Sequence, residues 1–244
     1  MQVRCQHRSR AGLSTPKVST QFSVRCAATS VSSSSGKLAS EPKNVVSTKA
    51  LREWCAIIGA IGKGEQMVLL RKGGIDEKAF AVESRDFLLF PSAFHADPGM
   101  LKPGVAERYK EEMALDPKQA KALQLGVYAR VTGAWATKDP AVVSVVDPLH
   151  IGTPAFLEAR IKWRAGAPLT VLELQAWRLQ QPLSVEVKPD YFGCFSWVDL
   201  SGEDGVRGLS LEGAQPCVPE PEFKMRQATL REAMEKLKAV ELQL

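Results

Sequence analysis

LLRKGGIDEKAFAVESRDFLLFPSAFH, residues 69–95, holds two apolar runs that each end in polar chemistry. The first closes on Arg71-Lys72-Gly73-Gly74; after a polar excursion the second, Phe87–Phe90, delivers Pro91 and His95. Short apolar runs bounded by Gly, Pro and charge read as strands. Pro91 cannot donate to a ladder, so the chain leaves the sheet there and carries His95 past the exit. Two glycines after two cations can expose successive backbone N–H groups beside positive charge, as in a small anion-binding nest. The plainer alternative is a solvated turn with two surface cations.

Upstream, Thr48 suits the N-cap of a short helix over Lys49–Trp54. Ala56–Ile61 and Gln66–Leu70 read as two strands of a hairpin turning at Gly62-Lys63-Gly64-Glu65, where glycine supplies a positive φ. Gly59-x-x-Gly62-x-Gly64 is then a turn, not a dinucleotide loop, because no helix follows it.

Downstream, helices are predicted over Met100–Ala114 and from Asp116-Pro117 to about Leu123. Leu125–Thr137, rich in Val, Tyr, Thr and Trp, reads as a strand, with Val142–Val146 as its partner. Thr153-Pro154 is an N-cap and first-turn proline, which starts a helix reaching about Trp163 and sets His150 at its mouth. That helix turns Leu157 and Ile161 inward, leaves Arg160 and Arg164 on another face, and pairs Glu158 with Lys162. Alternation over Leu172–Ala176 and Leu183–Val187 gives two half-buried strands separated by Gln180-Gln181-Pro182. Tyr191–Leu200 packs four aromatics around Gly193-Cys194.

The prediction is an α+β fold: a mainly antiparallel, barrel-like sheet with flanking helices and a C-terminal amphipathic helix. Residues 1–40 form a transit peptide and disordered linker, 48–200 the domain, 201–221 a linker and 222–244 the helix. Leu230, Met234 and Leu237 share one face of that helix, which either docks on the domain or meets a protein partner.

The net charge of +5 is unevenly spread. Residues 1–40 hold six cations, thirteen Ser or Thr and no acid, so the remainder carries a net charge of −1. A basic, acid-free, Ser-rich front is the signature of an organelle transit peptide. Val24-Arg25-Cys26-Ala27 resembles a chloroplast processing site, which predicts a stromal protein, with the mitochondrion as the competing address. Apolar runs such as Cys55–Gly62 fall well short of the roughly 18 residues of a membrane span, so no transmembrane helix is expected. No CxxC pair, metal-ligand spacing, nucleophile elbow or phosphate loop is present at full strength, and no cofactor or metal is implied. Cys55, Cys194 and Cys217 read as free thiols, at least two of them packed.

The succession Ala50-Leu51-Arg52-Glu53-Trp54, Leu69–Ile75, Phe87–Pro91 with His95, His150-Ile151-x-Thr153 and Gly193-Cys194-x-Ser196-Trp197 resembles the domain of unknown function 1802 family of bacteria and plastid-bearing organisms. The likeness runs from about Lys49 to Leu200. It implies no established activity. Bacterial members joined to restriction-endonuclease-like domains would place the family near nucleic acid, and Gly152, where relatives carry a bulkier residue, departs from the pattern.

Three functions compete. The leading one is a non-catalytic nucleic-acid-binding module in which Arg71, Lys72, Arg160, Lys162 and Arg164 meet phosphates while Trp163 or Trp197 stacks on a base of RNA or DNA. A metal-dependent nuclease or hydrolase would use Glu186-Val187-Lys188, with Asp147 as a second carboxylate. His95 and His150 could form a metal or acid–base pair with Glu83 or Glu53. Beyond these stands a structural or partner-binding protein of the stroma.

Overall fold

The structure, a computed structural model, describes residues 44–45, 47–73, 79–93 and 96–244. The transit-peptide reading of residues 1–40 and the roles given to Gly74 and His95 lie outside the described residues. In chain order the elements are β1 (Lys49–Trp54), α1 (Cys55–Gly62), β2 (Val68–Arg71), β3 (Asp86–Ser92), α2 (Val105–Arg108), α3 (Lys110–Ala114) and β4 (Ala122–Thr137). There follow α4 (Val142–Val146), α5 (Pro154–Lys162), β5 (Leu169–Glu186), β6 (Trp197–Asp199), β7 (Gln215–Pro216), α6 (Glu220–Lys236) and β8 (Val240–Glu241).

The α+β class holds, and the sheet is mostly antiparallel, in the order β2-β5-β4-β3-β1-β6. It is open, not barrel-like: β2 and β6 stand at its two ends, and β6 covers only Lys49–Leu51 of β1. Closure is not needed to hide apolar surface here, because both faces are covered. Phe87 and Leu89 of β3 enter one cluster with residues of α1, α5 and α6. Leu88 and Phe90 enter a second cluster with Val45, Tyr128, Trp177, Val206 and others. A strand buried on both faces reads as a continuous apolar run, which is what Phe87–Phe90 shows.

Two sequence assignments around β1 are exchanged. Lys49–Trp54, predicted as a helix, is a strand, and Ala56–Ile61, predicted as a strand, lies inside α1. Ala-Leu-Arg-Glu favours a helix locally, but β1 sits between β3 and β6, and ladder partners on both sides override that propensity. α1 is compatible with its glycines because Gly59 faces the ring of Tyr109: a Cβ there would stand 2.8 Å from Cδ1. Gly64 does take the positive φ predicted for it, +76°, but at the end of α1 and not in a hairpin.

Other differences follow the same logic. Val142–Val146 is a helix, the 100–114 segment breaks at Tyr109, and Asp116-Pro117 opens a turn in which Asp116 accepts from the Lys118 N–H. The two strands predicted across Gln180-Gln181-Pro182 are one, β5. Leu125 faces Leu183 while Val127 faces Arg178, so the residues around Pro182 are taken up by an irregularity opposite Gly126, where a missing N–H is tolerated. Residues 202–221, read as a linker, lend Val206 and Leu211 to the second cluster.

The C-terminal helix docks on the domain. Phe223, Leu230 and Met234 are buried, and the carboxylate of Glu173 on β5 accepts from Thr132 Oγ1 at 2.7 Å, Gln227 Nε2 at 2.7 Å and Arg231 Nη2 at 2.9 Å. No described helix is long and apolar enough to cross a membrane.

Candidate functional site

β1 and β3 form a parallel pair, with Trp54 opposite Ser92 in the register. The chain passes from Trp54 straight into α1, and from Ser92 out of the sheet, so both strands end at one place. Three hollows adjoin there. One of about 180 Å³ lies against Trp54, Cys55, Ser92, Ala93 and Asp97. A second, of about 400 Å³, shares Trp54 and Asp97 and is walled by Phe156, Arg160 and Trp163. The third, about 280 Å³, shares Ser92 and Ala93 and is bounded by Arg52, Lys118 and Phe192.

The walls of the second hollow come from α5. Thr153 caps it as predicted, accepting from the Phe156 N–H at 3.3 Å, with Pro154 in the first turn. The i, i+4 and i+7 spacing then carries Phe156, Arg160 and Trp163 along one side. Trp54 and Phe156 meet edge to face at 5.3 Å, and the Arg160 guanidinium sits 4.4 Å from the Phe156 centroid. Trp163 is 45% exposed, so its ring remains available for stacking.

Positive charge gathers beside this groove around one carboxylate. Glu53, buried, lies 3.0 Å from Arg71 Nη1 and 3.7 Å from Arg160 Nη2. Arg71 also donates to the Arg52 carbonyl and Arg160 to the Leu70 carbonyl. Arg52 itself is buried and donates to the carbonyls of Gly193 and Phe195 and to Ser92 Oγ. Two guanidinium groups, Arg71 and Arg160, therefore share the Glu53 carboxylate, and a third, Arg52, lies beside them on neutral partners. Burial, and then the charge of Arg71, lower the pKa of Arg52 from the usual arginine range; burial does the same to Arg160, offset in part by Glu53.

Several residues singled out in the sequence turn out otherwise engaged. Lys72 is buried and donates to the carbonyls of Arg164 and Ala167, which ties β2 to the chain after α5. Arg71 is committed to Glu53. In the Arg71-Lys72-Gly73-Gly74 stretch both cations are therefore held by internal partners, not solvated, and Gly73 has φ +87°. Trp197 is buried against Phe80 and Phe87 and donates to the Ala81 carbonyl, so it cannot stack on a ligand. Lys162 points to solvent beside Glu158, and Arg164, at φ +52°, lies over the Trp163 ring.

His150 is buried. Its Nδ1 accepts from the Gly152 N–H at 3.0 Å, and burial pushes its pKa down to about 4, with Lys102 adding to the shift. It fixes a loop. Glu83 pairs with Lys49, Asp147 with Lys102, and Lys188 with Glu203, so the carboxylates considered for metal or acid–base chemistry are held in separate places. Among the described residues no three His, Cys, Asp or Glu side chains gather as a metal site. Among the described residues Cys55, Cys194 and Cys217 are free thiols; burial raises those of Cys55 and Cys217 to about 11, while Cys194 is exposed.

Arg52, Trp54, Phe156 and Lys118 are the groove residues that sequence reasoning missed. The available signal was Arg52-Glu53, two adjacent charges set between the apolar Ala50-Leu51 and Trp54, where a buried charge must find a partner.

The family model described as Domain of unknown function (DUF1802) matches residues 50–229, further toward the C-terminus than the resemblance alone suggested and into α6. No curated protein matches the sequence. Two crystal structures of mutant forms of ZmASCH protein from Zymomonas mobilis are similar at a distance. One is 10% identical, with a TM-score of 0.38 over 78% of this chain and 99% of that one. The other is 11% identical, with a TM-score of 0.37 over 75% of this chain and 96% of that one.

Proposed function

We propose that this chain, which belongs to the family described as Domain of unknown function (DUF1802), is a non-catalytic plastid module that binds single-stranded nucleic acid. The observation that carries this reading is the groove of about 400 Å³ formed by Trp54, Phe156, Trp163 and Arg160. Its size lies within the roughly 300–1,000 Å³ of ordinary ligand sites. Aromatic walls with an arginine beside them suit an unpaired base, since every base offers a π-face and stacking tolerates sequence. The arginine excess around Glu53 supplies local attraction for backbone phosphates without a strongly basic domain. RNA and DNA both meet this description. The plastid address rests on the acid-free, Ser/Thr-rich residues 1–40 and is tested by a fluorescent fusion of that segment.

The binding test is anisotropy of labelled single-stranded RNA, single-stranded DNA and duplex DNA with the full chain, across a salt series, beside Trp163→Ala. Single strands are expected to bind better than duplex, and Trp163→Ala to weaken them; that comparison separates the groove from the basic N-terminal segment. Equal binding by the variant would remove the reading.

A further inference from the structure

We infer that the hollow at Arg52 is a phosphate subsite, taking the phosphate ester of the nucleotide whose base lies in the Trp54–Trp163 groove. Arg52 is only 6% exposed, yet its hydrogen-bond partners among the described residues are all neutral: Gly193 O at 2.5 Å, Phe195 O at 3.5 Å and Ser92 Oγ at 3.3 Å. Its Nε is buried with no partner among the described residues. Among the described residues no carboxylate stands within ion-pair reach of it, because Glu53 is turned to Arg71 and Arg160. A buried cation with only neutral partners and a second cation near it is unfavourable until an anion arrives.

The hollow of about 280 Å³ that Arg52 lines has room for that anion. Lys118 lines it too, and the Phe192 ring lies 6.0 Å from the Arg52 guanidinium and 5.9 Å from Lys118 Nζ. Asp116 stands at the same rim, where its Oδ1 accepts from the Lys118 N–H at 3.0 Å; among the described residues that line the hollow, two cations stand against this one acid. A guanidinium and an ammonium lining one hollow are a donor set that phosphate oxygens favour.

Connectivity gives the ligand its direction. Ser92 and Ala93 join this hollow to the central one, and Trp54 and Asp97 join the central one to the aromatic groove. Base, sugar and phosphate then follow in that order from Trp163 to Arg52. The identity of the ligand as a nucleotide rests on the function proposed above; the anion site stands on Arg52.

The test uses the full chain and inorganic phosphate, read by titration calorimetry and by thermal shift at matched ionic strength. Binding is expected in the unaltered protein and in Lys224→Ala, which removes an exposed α6 lysine paired with Glu220 and absent from the lining of the hollow. Arg52→Met is expected to weaken it about tenfold or more, as loss of a charged hydrogen bond does. Should Arg52→Met not fold, Lys118→Ala replaces it, with a loss of about threefold or more. Adenosine 5′-monophosphate should bind more tightly than adenosine, and the difference should shrink in either variant. No phosphate binding, or equal binding in all variants, overturns the subsite whatever RNA does. Phosphate binding that depends on Arg52, alongside RNA binding indifferent to Trp163→Ala, upholds the subsite and removes the strand reading.

Discussion

Arg71, at the end of β2, places Nη1 3.0 Å from Oε2 of Glu53, which lies on a different strand and is 2% exposed at its side chain. The contact links β2 at one end of the sheet to β1 near the other, across the place where the groove opens. It also explains why Arg71 is poorly suited to meet a ligand directly: its charge is spent on holding a buried carboxylate.

Arg71→Met should therefore act on stability first. Removing one partner of a buried pair leaves the other charge unmatched, at a cost of about 3–5 kcal/mol. The lower end is expected here, because Arg160 remains 3.7 Å from Glu53. Chemical denaturation checks this. A variant as stable as the parent would mean that water already reaches Glu53.

The two tryptophans assigned to stacking in the sequence should separate cleanly. Trp197→Ala is expected to lose about 3–5 kcal/mol of stability, because the ring is buried between Phe80 and Phe87. Trp163→Ala, exposed, is expected to shift stability by no more than about 0.5 kcal/mol. Its effect should appear in oligonucleotide affinity, with a loss of about 1–3 kcal/mol per stacked base. Melting curves and anisotropy on both variants read the two effects independently.

Acid should destabilise the protein through His150. Burial lowers its pKa to about 4 in the folded chain, against about 6.5 when unfolded. The unfolded chain then binds the proton first, so stability is complete above about pH 6.5 and declines as pH falls toward 4. The full contribution is about 3 kcal/mol. Denaturation at a series of pH values should show this slope, and His150→Asn should flatten it. An unchanged slope in the variant would assign the acid sensitivity to other groups.

The docking of α6 should depend on Glu173. Arg231 is about half exposed, so its ion pair is screened and Arg231→Ala should cost only about 1 kcal/mol. Glu173→Leu removes the acceptor of Thr132, Gln227 and Arg231 together. It is expected to raise hydrogen exchange over Glu220–Lys236 more than over β3, because fewer ties hold the helix. Uniform exchange across both elements would show that apolar burial alone fixes α6.

The sequence by itself determined the α+β class, the apolar strand at Phe87–Phe90, the start of α5 at Thr153-Pro154 and the amphipathic C-terminal helix. These are local signals: hydrophobic period, a capping side chain, a proline that must leave the ladder. The family resemblance likewise rested on short motifs read in order along the chain. The residues of the predicted α5 helix also gave Arg160 and Trp163 as candidates, because helical spacing is readable in one dimension.

Tertiary structure alone decided which segment at the start of the domain is strand and which is helix, since β1 owes its conformation to β3 and β6 on either side. It decided that the sheet stays open, because covering layers on both faces hide what closure would otherwise hide. It buried Trp197 and committed Lys72 and Arg71 to internal partners, although in sequence they resemble surface groups. The groove itself joins Arg52 and Trp54 of β1, Ser92 of β3, Lys118 and the side chains of α5. Residues so far apart in the chain carry no shared local signal; only the folded backbone brings their charges and rings within reach of one ligand.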